Sequence, residues 1–129
     1  MKDGNYQQKG KGNEIIVKEY FNRIKSKDLE GLLELFSDDA VIYEPFSKAK
    51  RLLGKNEIKS FLKSVIMAND GLQYEINIVG GKDNRENNLV AHVIFRRGHA
   101  INSKFTFSVE NTRDYDLYGK IKSLLIEFM

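Results

Sequence analysis

Glu44 stands beside the only proline of the chain, at the end of a run that alternates like a strand. The alternation puts Ala40, Ile42 and Glu44 on one face and Val41 and Tyr43 on the other. If Ile42 faces an interior, Glu44 does too. A carboxylate is expensive to bury on an apolar face, so Glu44 is either part of a site or held by a cation such as Arg51. In an apolar pocket a carboxylate can take a proton from a carbon next to a carbonyl and return it. His92 is the second candidate. Val90, His92 and Ile94 share a face of a later strand, and a histidine opposite a carboxylate is a usable acid–base pair at neutral pH. The other reading of a lone histidine on an apolar face is a satisfied core residue. His99 adjoins the Gly98 turn and is expected to be exposed.

Other chemistries are poorly served. There is no cysteine, so disulfides, thiolate metal sites and thiol nucleophiles are excluded. The two histidines are not spaced as a ligand pair, and no metal or other cofactor is expected. No Ser-His-Asp grouping, phosphate loop or dinucleotide glycine fingerprint is present. The net charge of +3, from 21 Lys plus Arg against 18 Asp plus Glu, is too mild to argue for nucleic acid. No apolar run approaches the roughly 20 residues of a membrane helix, and the N-terminus lacks the apolar core of a signal peptide. The expectation is a soluble, cytoplasmic protein with neither a nucleic-acid nor a membrane partner. Lys48, Lys50 and Arg51 could meet an anionic ligand, with an affinity that falls with salt.

The elements that must position these groups follow from periodicity. Residues 1–13 are Gly, Lys, Gln and Asn with almost nothing apolar, and read as a flexible leader. Residues 14–129 form one domain. A first helix, capped by Asn13, carries Ile16, Val17, Tyr20, Phe21 and Ile24 on its apolar stripe. A second, capped by Asp28, carries Leu29, Leu32, Leu33 and Phe36, and Ser37-Asp38-Asp39 stops it. After the Glu44 strand, Phe46 to Leu53 reads as a loop. A third helix runs from Asn56 to about Met67 with Ile58, Phe61, Leu62, Val65 and Ile66 inward. Lys55, Lys59 and Lys63 form a charge ladder on its solvated face. Beyond Asn69-Asp70-Gly71 the pattern changes to strands. Leu72 to Ile78, Leu89 to Arg97, Ala100 to Asn111 and Lys120 to Phe128 are separated by turns at Gly80 to Asn88, Gly98 and Thr112 to Gly119. Helices first and hairpin-connected strands after them make an α+β fold: a cone in which three helices pack on a curved, mostly antiparallel sheet.

From Tyr20 to Ile66 the text resembles the nuclear transport factor 2-like superfamily, most closely its SnoaL-like polyketide cyclase and ketosteroid isomerase branches. The matching stretches are YFNRIKSKDLEGLLELFSDDAVIYEPF and GKNEIKSFL. They carry an aromatic first helix, the Asp28-Leu29-Glu30 helix start and the Phe36-Ser37-Asp38-Asp39-Ala40 corner. They also carry the acidic residue before Pro45, and Gly54 four residues ahead of Ile58. The resemblance implies that Glu44 stands where the isomerase has its aspartate base, and that Tyr20 stands where its oxyanion-binding tyrosine sits. It also places Phe107 where the isomerase has a second, acidic donor. Phe36 and Leu62 replace supporting tyrosines. One donor instead of two removes several kcal/mol of transition-state stabilisation, so a true steroid isomerase is not expected. The Asp-Arg-Asp set of the epoxide-hydrolase branch cannot be placed.

The candidate catalytic residues are therefore Glu44 as base, Tyr20 as oxyanion donor and His92 as relay. The expected pocket lining is Phe21, Phe36, Ile42, Leu62, Ile94, Phe107 and Phe128. The expected ligand is a small apolar molecule, a ketone or polyketide-like compound, and the reaction a proton transfer next to a carbonyl. The alternative is a non-catalytic dimerisation or interaction module. In either case a homodimer through the open sheet face is expected.

Overall fold

The computed structural model describes residues 2–45, 51–79, 88–110 and 119–129, with side chains from Asn13 onward. Helix α1 (Lys2–Lys25) extends N-terminally beyond the expected cap at Asn13. Its stripe is the expected one: Ile16, Val17, Tyr20, Phe21 and Ile24 are all buried. Lys27 adopts a left-handed conformation (φ 60°) and turns the chain into the second helix. There Asp28 caps α2 (Leu29–Glu34) by accepting a hydrogen bond from the Gly31 N–H at 2.9 Å.

Helix α2 ends sooner than its apolar spacing suggests. The Leu35 carbonyl accepts a hydrogen bond from the Ile121 N–H at 2.7 Å, and Phe36 then pairs with Ile121. The sheet thus takes Phe36 out of the helix and into β1 (Phe36–Tyr43). Ser37, Asp38 and Asp39 are strand residues, not the helix stop expected of them, and a register shift between Phe36 and Val41 absorbs them. From Ala40 the alternation is as read. Ala40, Ile42 and Glu44 are buried, while Tyr43 is exposed.

The Phe46 to Leu53 stretch, expected as a loop, ends in a short strand, β2 (Arg51–Leu53). Residues 46–50, with Lys48 and Lys50, lie outside the described residues. Helix α3 (Gly54–Ala68) starts where Gly54 takes φ +82°, a conformation that favours glycine. Glu57 reaches back to accept a hydrogen bond from the Leu53 N–H at 2.8 Å, satisfying an amide at the helix start. Ile58 and Leu62 are buried, with Phe61, Val65 and Ile66 half-buried against the same core. On the opposite face Lys55 and Lys59 pair with Asp38 and Glu30, each at 3.7 Å, as a solvated ladder would.

The remaining strands are β3 (Gln73–Val79), β4 (Asn88–Arg97), β5 (His99–Glu110) and β6 (Lys120–Phe128). Of the expected turns, Gly80 to Asn88 and Thr112 to Gly119, residues 80–87 and 112–118 lie outside the described residues, and Asn88 already belongs to β4. All six strands form one sheet in the order β2-β1-β6-β5-β4-β3, in which only the β1–β6 pairing is parallel. The three helices pack on one face of this curved, open sheet. The core between them runs from Ile16 and Tyr20 through Leu32 and Phe36 to Phe107 and Leu124. No helix among the described residues is long and apolar enough to cross a membrane.

Candidate functional site

A cavity of about 770 Å³ opens between the concave face of the sheet, α1 and α3. A volume of this order suits a ligand of drug-like size. Most of its wall is apolar: Phe21 and Ile24 from α1, Phe61 and Val65 from α3, and Phe95, Phe105 and Ile126 from the sheet. A few polar groups interrupt that wall. They are Glu44, Tyr20, Glu57, Ser60, Ser64, Asn69 and Arg97.

Glu44 comes to the wall because it continues the inward phase of β1, one residue beyond the strand's end. It is 4 % exposed, and the carboxylate enters a predominantly hydrocarbon surface. Arg51, one of the alternative partners, is exposed and opposite Tyr43, whose phase is outward, while Lys48 and Lys50, the lysines at the strand end, lie outside the described residues. Tyr20 is 1 % exposed. Its ring is held almost edge-on by Phe21 at 5.0 Å, Phe107 at 5.5 Å and Phe36 at 6.3 Å. Such contacts fix its orientation. Its hydroxyl makes no hydrogen bond to another described residue, and the side chain lines the cavity. Tyr74 differs, because its hydroxyl donates to the Phe21 carbonyl at 3.1 Å. Burial pushes the Tyr20 phenol far above the usual tyrosine range, and Tyr74 adds to the effect. Tyr20 therefore stays a neutral O–H donor.

The structure brings Glu44, Tyr20, Phe21 and Phe128 to one cavity. It does not bring His92 there. In the β4–β5 hairpin Arg97 pairs with His99 across Gly98 alone, which sets Ala91 opposite Phe105. Leu89, Ala91, Val93 and Phe95 therefore share the concave face. His92 and Ile94 point outward, opposite Lys104 and Asn102. A one-residue difference in register exchanges the faces of a strand, and the expected pocket roles of His92 and Ile94 are corrected on that ground. Four other expected lining residues, Phe36, Ile42, Leu62 and Phe107, are fully buried in the core behind the wall. His99 is exposed as expected.

Glu57, Ser60, Phe95 and Arg97 belong to the cavity but were not expected there. Helical spacing of Glu57, Ser60 and Ser64 was visible, at i, i+3 and i+7, but reads equally as a solvent face. No group of three or more His, Cys, Asp or Glu side chains among the described residues could hold a metal ion.

The SnoaL-like domain model matches residues 17–114. No curated protein sequence matches the chain. Among solved structures, one similar to this chain is an epoxide hydrolase/cyclase-like enzyme, SalBIII, described for its role in pyran ring formation in the polyether salinomycin. It is 20% identical with a TM-score of 0.72, over 95% of this chain and 94% of the other. A SnoaL-like protein of unknown function from Burkholderia thailandensis is 14% identical with a TM-score of 0.68, over 92% and 95%. A putative polyketide cyclase from Sinorhizobium meliloti is 22% identical with a TM-score of 0.57, over 87% and 93%. At these identities the likeness is one of fold: an α+β cone with three helices on an open sheet.

The burial of Tyr20 has a consequence for stability. The folded chain keeps this proton above pH 10.0, the ordinary phenol value, where the unfolded chain begins to lose it. The contribution is complete below that pH and is lost as pH rises beyond it. The urea midpoint of the wild type is expected to fall steeply above pH 10.0, and that of Tyr20→Phe less steeply. Equal slopes in the two proteins would show that the Tyr20 hydroxyl is not desolvated.

Proposed function

The chain belongs to the SnoaL-like domain family, and from that premise we propose that its cavity binds a small, mostly apolar carbonyl compound and moves a proton next to the carbonyl. One observation carries this reading: a carboxylate and a phenol, both almost completely buried, stand in the wall of one apolar cavity. The Glu44 carboxylate takes a proton from the carbon next to the carbonyl. The electrons of that C–H bond form the new carbon–carbon double bond, and the carbonyl π electrons move onto oxygen. The Tyr20 O–H donates a hydrogen bond to the oxygen as charge develops on it. Glu44 then returns the proton, to the same carbon or to another along the conjugated system. The apolar wall excludes water and strengthens the Tyr20 hydrogen bond. His92 has no part in this scheme. An isomerisation, or a cyclisation that begins with the same proton transfer, fits it; a steroid isomerase with two oxyanion donors does not, because Phe107 offers none.

Exchange of the α-hydrogens of 2-tetralone in D2O, followed by proton NMR, tests the scheme without a known substrate. The wild type is expected to accelerate exchange over buffer. Glu44→Gln should lower the catalysed rate about 100-fold or more, and Tyr20→Phe by about 100-fold. Exchange no faster than in buffer, or full exchange by Glu44→Gln, would remove the reading.

A second reading concerns the outer face of the sheet. Tyr43, Leu125, Thr106, Val90 and Val79 are consecutive cross-strand partners, forming a largely apolar row across five strands. Tyr43 and Leu125 are 41% and 38% exposed. Such a row supports a homodimer through this face, compatible with a catalytic or a purely structural role. Light scattering should give a dimer for the wild type and a monomer for Leu125→Lys. A wild type that is monomeric, or a variant that remains dimeric, would contradict it.

A further inference from the structure

The charged groups of the cavity are separated by sign. Glu44 and Glu57 lie toward the end formed by β1, β2 and the start of α3. Arg97 lies at the other end, beside Asn69, Leu72 and Ile101, where α3 stops. The lining residues of α3 run from Glu57 to Ala68, which separates the two ends by about 17 Å at 1.5 Å per residue. The cavity is therefore elongated, acidic at one end and basic at the other, with aromatic rings between.

Arg97 also has no carboxylate partner among the described residues. The neighbouring Arg96 pairs with Glu75 at 3.2 Å on the outer face. Asp70, the acid nearest in the chain to the end of α3, pairs with Lys27 at 3.0 Å. Arg97 makes no ion pair among the described residues. Its Nη2 donates to the Ala68 and Asp70 carbonyls, at 3.4 and 3.0 Å. These bonds hold the guanidinium against the end of α3 and leave its Nε and Nη1 hydrogens unused among the described residues. A fixed guanidinium with free donors at the edge of an apolar cavity is a receptor for a carboxylate. The two acids at the other end oppose binding in the reverse orientation.

We propose that Arg97 determines the specificity of this cavity, and that its ligands are elongated, mostly apolar keto acids. The carboxylate meets the Arg97 guanidinium while the ketone reaches Glu44 and Tyr20. The assignment of the ketone rests on the proton-transfer reading above; the assignment of the carboxylate does not. The alternative role of Arg97, a clamp on the end of α3, predicts no preference between charged and neutral ligands.

The probes are 6-(2-naphthyl)hexanoate and its primary amide, titrated by naphthyl fluorescence, which is uncluttered because the chain has no tryptophan. The wild type should bind the acid about tenfold or more tighter than the amide, as a charge-assisted hydrogen bond allows. Arg97→Met should reduce the acid to the level of the amide and leave amide affinity essentially unchanged. Arg97→Lys, which keeps the charge, should retain part of the preference. Absence of a preference in the wild type overturns the proposal, whatever the folding of the variants. Equal loss of both probes in a folded Arg97→Met also overturns it, because that is what a clamp alone would give. Glu44→Gln should keep the preference for the acid. Wild-type ketone exchange no faster than in buffer, with the preference for the acid intact, would refute Glu44 as base and leave Arg97 standing, and wild-type exchange without any preference for the acid would refute Arg97 alone.

Discussion

The parallel pairing of β1 with β6 is the constraint on which the site depends. It begins with the hydrogen bond from the Ile121 N–H to the Leu35 carbonyl and continues through Ile42 opposite Leu124 and Tyr43 opposite Leu125. That register fixes the phase of β1. Ile42 goes into the core, Tyr43 goes out, and Glu44 follows inward. Leu52, opposite Ile42 on β2, and Glu44 both line the cavity from this edge of the sheet. A shift of one residue would turn Glu44 to solvent and put Tyr43 in the core. The large apolar residues around Ile42 make that exchange costly.

Against this scaffold the cavity is built by what the core leaves unfilled. Tyr20, Phe36 and Phe107 fill the closed end of the cone and pack edge to face. Toward the open end the sheet continues as Phe105, Phe95 and Ile101, while α3 presents Phe61 and Val65, and these surfaces do not meet. The apolar area that remains is large and already aromatic. The polar groups are few, an arrangement that orients a ligand more strongly than it attracts one.

The sequence and the structure agree where the determinants are local. The Asp28 cap, the buried stripe of α1 and the inward phase of Ile42 and Glu44 follow from residue type and spacing, and all are present. They diverge where a distant segment decides. Phe36 has helical spacing, but the Ile121 amide captures the chain just before it. His92 has the alternation of an inward residue, but the single-residue connection at Gly98 sets its register to the other face. Phe36, Ile42, Leu62 and Phe107 are inward as expected, yet alternation does not say how far along the cone a residue lies, so core and cavity wall are indistinguishable in the sequence. Arg97 gives no signal at all, because its position depends on where the end of α3 meets the β4–β5 hairpin.

The cavity lined by Tyr20 and Glu44 is proposed to receive a planar apolar carbonyl compound. 2-Naphthol, a stable planar mimic of an enol, is the ligand with which to test it, since binding sites built for a reaction favour its intermediates over its substrates. The measurement is the set of intermolecular nuclear Overhauser effects between bound 2-naphthol and the protein. Effects are expected from the rings of Tyr20 and Phe105 and the methyl groups of Ile126. Effects from Tyr43 and Leu125 on the outer face instead, or no binding, would contradict it.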